Sequence, residues 1–89
     1  MISKEEWEKK LSEEGFKEIY EWKDVPNATY PPHVHETDVA HIIIDGSMTL
    51  AIEGKTQVLR PGDRATVPAG RIHEATIGPI GCKYLVGEK

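Results

Sequence analysis

Gly62-Asp63-Arg64-Ala65-Thr66-Val67-Pro68-Ala69-Gly70-Arg71-Ile72-His73, taken with His33-Val34-His35, is the stretch that decides how this chain folds. Alternate residues of an extended strand project to one face, so His33 and His35 point together if their segment is a strand. His73, from a distant strand, can then bring a third imidazole to the same face. Neutral imidazole suits Zn, Cu, Fe and Ni, and three protein ligands leave positions open for water or substrate. An H-x-H pair alone says little. The long spacing through Pro68 and Gly70 to His73 is what gives it weight. Pro31-Pro32 immediately upstream restricts the incoming backbone, which lowers the cost of ordering His33 and His35. The competing reading is a set of interior histidines in a barrel that holds no metal.

These residues resemble the two paired motifs of the cupin superfamily. The second family motif reads G-x5-P-x-G-x2-H-x3-N, and Gly62, Pro68, Gly70 and His73 fall on it, with Ile77 in place of the final Asn. The first reads G-x5-H-x-H-x3,4-E-x6-G. Here His33, His35 and Gly46 match, and Asn27 stands at the opening Gly, a mild change because Asn tolerates positive φ. Val39 occupies the position of the family's acidic ligand and cannot bind a metal. The resemblance spans roughly residues 27–77. It implies an all-β fold, a small cupin β-barrel of the double-stranded β-helix or jelly-roll kind. It also implies a divalent transition metal (Fe, Mn, Ni, Zn or Cu) on His33, His35 and His73.

Strand parity selects candidates for a fourth ligand. If Val39 points inward, His41 and Ile43 share its face. His41 then lies one pleat away, roughly 7 Å along the strand, and reaches an ion only if the site shifts or the strand bulges. Asp38 neighbours the family position but has the opposite parity, which makes it the weaker candidate. Glu36 follows His35 directly and reads as solvent-facing. The alternative for His41 is a pocket-lining histidine. His73 shares an inward face with Ala75 and Ile77, while Cys82 shares one with Tyr84 and Val86. Cys82 reads as a small core hydrophobe, Tyr30 and Tyr84 as packing residues with exposed hydroxyls, and Arg60, Arg64 and Arg71 as solvated loop arginines.

Length and composition agree. At 89 residues the chain makes one domain with a modest core, helped by oligomerisation or a bound metal. A net charge of −4, with no basic cluster outside the net-acidic first 24 residues, argues against nucleic acid as a partner. The single cysteine excludes an internal disulfide and fits a reducing compartment. No apolar run approaches membrane-spanning length, and the Glu/Lys-rich start does not read as a signal, so the expected location is cytoplasmic and away from membranes.

Residues 1–15 read as a short helix packed on the barrel, and residues 16–89 as the barrel itself. Ser3 and Glu6 form a capping box, Ile2 and Trp7 a hydrophobic staple, and Gly15 a stop. Asp45-Gly46 gives a hairpin signal between apolar residues 39–44 and alternating residues 47–53, with further turns at Gly54 and at Pro61-Gly62-Asp63. The segment 39–44 is apolar on both faces, as expected for a strand covered on both sides. With Trp7 and Trp22 also to cover, the expected assembly is a homodimer.

The functional expectation is a metal-binding barrel for a small-molecule ligand. It is either an enzyme of the dioxygenase, isomerase or decarboxylase type acting on a small polar metabolite, or a non-catalytic binding or sensing barrel. A structural remnant that picks up metal adventitiously is the third reading.

Overall fold

Two long strands carry the architecture. The computed structural model describes residues 2–89. Its elements in chain order are α1 (Lys4–Glu13), β1 (Glu18–Asp24), β2 (Thr29–His33), β3 (Val39–Ile52), β4 (Lys55–Leu59), β5 (Arg64–Val67) and β6 (His73–Glu88). β3 and β6 pair antiparallel along almost their whole length, from Val39 opposite Glu88 to Ile52 opposite His73. The first part of β3 also pairs with β5, and the last part of β6 with β1, giving the order β1-β6-β3-β5. The other ends pair with β4 and β2, giving β2-β6-β3-β4. The result is two four-stranded halves sharing a bent central ribbon, the jelly-roll barrel expected from the motifs.

The bend lies where a hairpin was expected. β3 does not reverse at Asp45-Gly46; its register slips between Ile43 and Asp45 and again between Gly46 and Met48, and the strand continues into the second half. Gly46 has φ 78°, and a Cβ there would overlap the Gly81 carbonyl group on the facing strand. The Asp-Gly pair therefore forms a bulge that turns the strand between sheets. Reversal comes later, at Glu53-Gly54, where φ values of 50° and 83° give the two left-handed positions of a tight hairpin. Asn27, at the family's opening glycine, has φ 62°.

Parity sorts the apolar residues onto two faces. Val39 and Ile43 point between the halves with Met48, Leu50, Leu59, Val67, Ile77, Cys82, Tyr84 and Val86. Ala40 and Ile42 point outward and meet Leu11, Phe16 and Leu85. The doubly apolar 39–44 segment is thus covered on its outer side within the chain, by α1 and Phe16. That face gives no reason for a second subunit, although Trp22, Val25 and Ile80 remain exposed.

The helix is held in place by its ends. Ser3 caps it, accepting from the Glu6 amide at 3.2 Å. At the other end Phe16 N–H donates to the Leu11 carbonyl and Gly15 N–H to that of Ser12, with Gly15 at φ 97°. This is a Schellman stop, and its customary apolar contact is made by Phe16 and Leu11. Leu11 is fully buried there, which stabilises the packed helix by about 2 kcal/mol. Arg64, expected to be solvated, instead makes a two-pronged bond to Glu14 at 2.6 and 2.8 Å, tying the helix to β5. No helix among the described residues is long and apolar enough to cross a membrane.

Candidate metal centre

Three imidazoles converge at one end of the barrel because of where their strands stop and start. His33 ends β2 directly opposite His73, which begins β6. His35 follows on the next inward position, and its carbonyl accepts from Gly70 N–H at 2.9 Å, so the Pro68-Ala69-Gly70 turn is laced to the H-x-H segment. The ring centroids lie 4.9 Å (His33–His35), 4.1 Å (His33–His73) and 4.9 Å (His35–His73) apart. One ring nitrogen from each falls within 4.8 Å of the other two.

Backbone carbonyls decide which nitrogens are free. The Nδ1 of His33 sits 2.7 Å from the Pro31 carbonyl oxygen, and that of His73 sits 3.2 Å from the Arg71 carbonyl oxygen. A carbonyl oxygen can only accept, so both Nδ1 atoms carry the proton and both Nε2 atoms keep a lone pair. This arrangement matches that of metal-binding histidines, whose second nitrogen is anchored to an acceptor. Burial holds the His73 pKa below the ordinary histidine value; the Arg71 carbonyl opposes the shift, and charge on His33 and His35 adds to it. The three residues therefore fit a divalent transition ion in donor type, and His33 and His73 fit it in tautomer as well.

The other sequence candidates fare differently. His41 lines the same cavity, a space of about 300 Å³ that also includes Val39, Met48, Leu50, Tyr84 and Glu88 on its walls. It lies outside the group of three whose nitrogens approach one another. Its Nδ1 is buried and finds no hydrogen-bond partner among the described residues. Burial, reinforced by the neighbouring His73, His35 and His33, pushes its pKa down to about 4, so the ring is neutral at pH 7. Asp38 is not brought to the site. One of its oxygens accepts from Ala69 N–H at 2.8 Å and the other faces Lys89 Nζ at 3.8 Å, so the residue secures the loop before His73. Val39 is buried against the cavity, at the position where the family carries its acid.

A second polar cluster escaped the sequence reading. Asp24, at the end of β1, accepts from Tyr30 and Tyr84 hydroxyls at 2.7 Å each and from the Trp22 indole at 3.1 Å. The two tyrosine hydroxyls are not exposed tips. Both phenols are raised above their ordinary pKa, first by burial and then by the hydrogen bond to Asp24. Tyr20 is likewise raised, to about 12, by burial and its bond to Glu88 at 2.9 Å. Cys82 is a buried thiol raised to about 11 by burial, with Asp24 and Asp45 adding to the shift, which suits the core role read from its position. Asp24 stands just before Val25-Pro26-Asn27 and looks like a turn residue in the sequence. Only the pairing of β1 with β6 and of β2 with β6 reveals its role.

Comparison with known proteins agrees with this architecture. The Cupin_2 family model, a cupin domain, matches residues 20–79, and the chain belongs to that family. Among solved structures it is similar to a cupin superfamily protein from Desulfitobacterium hafniense DCB-2, with a TM-score of 0.72 and 20% identity over 79% of this chain and 63% of that one. It is also similar to the DMSP lyase DddQ from Ruegeria pomeroyi DSS-3, with a TM-score of 0.73 and 25% identity over 80% of this chain and 36% of the lyase. It is also similar to KdgF from Halomonas sp., with a TM-score of 0.66 and 21% identity over 86% of this chain and 89% of that one. The chain thus spans just under two thirds of the Desulfitobacterium protein and about a third of the lyase. No curated protein matches the sequence.

Proposed function

We propose that this chain is a metal-dependent cupin whose His33, His35 and His73 hold one divalent transition ion and whose cavity admits a small polar metabolite. The observation that carries the reading is the pair of Nδ1–H bonds to the Pro31 and Arg71 carbonyls, which leaves two Nε2 lone pairs free beside His35. When bound, such an ion supplies Lewis acidity, polarising a ligand oxygen or making bound water more acidic. The residues themselves orient and enclose. Val39, Met48 and Leu50 keep part of the cavity dry, and Asp24 stiffens the wall by holding the hydroxyls of Tyr30 and Tyr84. Similarity to the DMSP lyase DddQ supports the enzyme reading.

A non-catalytic binding or sensing barrel is the second reading, and one observation favours it. The cavity's phenols hold their protons in bonds to Asp24 and Glu88, so none is a ready base at neutral pH. Elemental analysis of untagged protein purified without chelator tests the shared part of both readings. We expect one equivalent of a transition metal, lost in His73→Ala while the barrel stays folded. Equal metal content in the variant and the wild type would discard the site. A redox-active metal would favour oxygen chemistry, whereas zinc or nickel would leave isomerase and binding roles.

A further inference from the structure

We infer that His41 is a neutral hydrogen-bond donor for a small carboxylate ligand that enters the cavity beside the three-histidine site, and not a fourth ligand to the ion. The inference rests on the proposed metal site and adds to it the class of molecule that site receives.

The first argument concerns the proton. A histidine that is neutral must place its one N–H on Nδ1 or Nε2. His41 Nδ1 is buried and meets no acceptor among the described residues. A buried N–H without an acceptor is rarer and less tolerable than a buried lone pair without a donor. The proton therefore belongs on Nε2. That atom is not among the buried orphans and is the outer nitrogen of a ring that lines the cavity. A nitrogen that carries a proton has no lone pair for a metal. His33 and His73 have the opposite tautomer, imposed by their carbonyl partners.

The second argument concerns charge. Three neutral imidazoles leave the two positive charges of a divalent ion uncompensated. Val39 supplies nothing at the family's acidic position. The other carboxylates near the cavity are already engaged, Asp24 by two phenols and an indole, and Glu88 by Tyr20. Asp38 is bound to the Ala69 amide. No carboxylate oxygen joins the group of three imidazoles, so a ligand with a negative charge of its own is the one that meets the ion directly. A carboxylate supplies one oxygen for the ion and a second that accepts from an N–H, and His41 is the cavity donor left over to meet it.

Two measurements test this. The first needs no metal. Long-range ¹H–¹⁵N correlation spectra of the wild-type protein at pH 7 report which imidazole nitrogen carries the proton. We expect Nε2–H for His41 and Nδ1–H for His33 and His73; Nδ1–H at His41 overturns the inference. The second loads the protein with Co²⁺ and follows its visible absorption while acetate is added, with acetamide as the neutral counterpart. Acetate should bind and acetamide should not. His41→Leu should weaken acetate by about tenfold to a hundredfold, the loss expected for one hydrogen bond to a charged group. His41→Gln, which keeps an N–H, should recover part of that loss. Cobalt affinity should change by less than about threefold in both variants. A tenfold or greater drop in cobalt affinity would make His41 a ligand to the ion, and equal binding of acetate and acetamide would remove the anion; either result overturns the inference while leaving the three-histidine site standing. Failure of the wild type to take up cobalt at all would instead remove the metal reading, and the carboxylate with it.

Discussion

His33 and His73 at the barrel mouth and His41 on the inner face of β3 share one cavity, yet their rings are prepared for opposite tasks. The first two have a backbone carbonyl within 3.2 Å of Nδ1, so the chain has chosen their tautomer and turned a lone pair toward the open space. His41 has no such partner, and its proton is left to the outer nitrogen. On the proposed reading, residue type alone does not define a metal ligand. These two ligands differ from the donor in that the local backbone supplies an acceptor two residues upstream, Pro31 for His33 and Arg71 for His73.

The comparison can be broken most directly at the mouth. His73→Ala should lower cobalt affinity by more than about a hundredfold, since loss of even an outer partner of a ligand costs 10–100-fold. Equilibrium dialysis of the folded variant measures it, and retained affinity would place His73 among ordinary interior histidines.

A change of pH separates the fourth ring next. Unfolded, His41 takes up a proton near pH 6.5; folded, it does so only near 4, chiefly because it is buried, with His73, His35 and His33 facing it across the cavity. Between those values the unfolded chain holds a proton that the folded chain lacks, so stability falls as pH drops through that window. The total loss is roughly 3 kcal/mol, at 1.36 kcal/mol per unit. Urea denaturation of metal-free wild type and His41→Gln at pH 7 and pH 4.5 should show a steeper decline for the wild type. Parallel declines would mean that the ring is already charged or solvated.

Val39→Glu sharpens the contrast by restoring an acid. With the charge compensated from within, cobalt should bind about tenfold tighter and acetate about tenfold more weakly, a shift of 1.4 kcal/mol each way. Acetate binding that is unaffected would show that the ligand does not enter to balance charge. The smallest effect is expected from Tyr84→Phe. Losing one hydrogen bond to Asp24 should cost about 1 kcal/mol in urea denaturation and leave cobalt affinity within about twofold. A larger change in cobalt binding would mean that the phenol wall also positions the histidines.

Much of this arrangement is legible in the sequence, for identifiable reasons. Period-two parity separates Val39, His41 and Ile43 from Ala40 and Ile42 without any knowledge of what covers them, and the structure assigns those sets to the barrel interior and the helix-covered face. The spacing from Gly62 to His73 places the third ring opposite the first two. What could not be read depends on contacts between distant strands. Asp45-Gly46 has the composition of a hairpin, and only the approach of Gly81 makes it a bulge. Asp24 meets Tyr84 from 60 residues away, so nothing local distinguishes it from a turn residue. The tautomers were hidden as well, because they depend on where two carbonyl oxygens lie.

The bent ribbon of β3 and β6 also has a consequence for the order of assembly. Val39 pairs with Glu88, and the two central strands are separated along the chain by both β4 and β5. Closing so long a loop before any central contact forms places the barrel with slow, non-locally paired β proteins, which fold over milliseconds to seconds. During synthesis, at about 5–20 residues per second, β3 must emerge and wait for its partner with both apolar faces bare. The helix, already translated and able to close its own ends through Ser3 and Gly15, is available with Phe16 and Ile19 to shield the outer face of that strand in the interval.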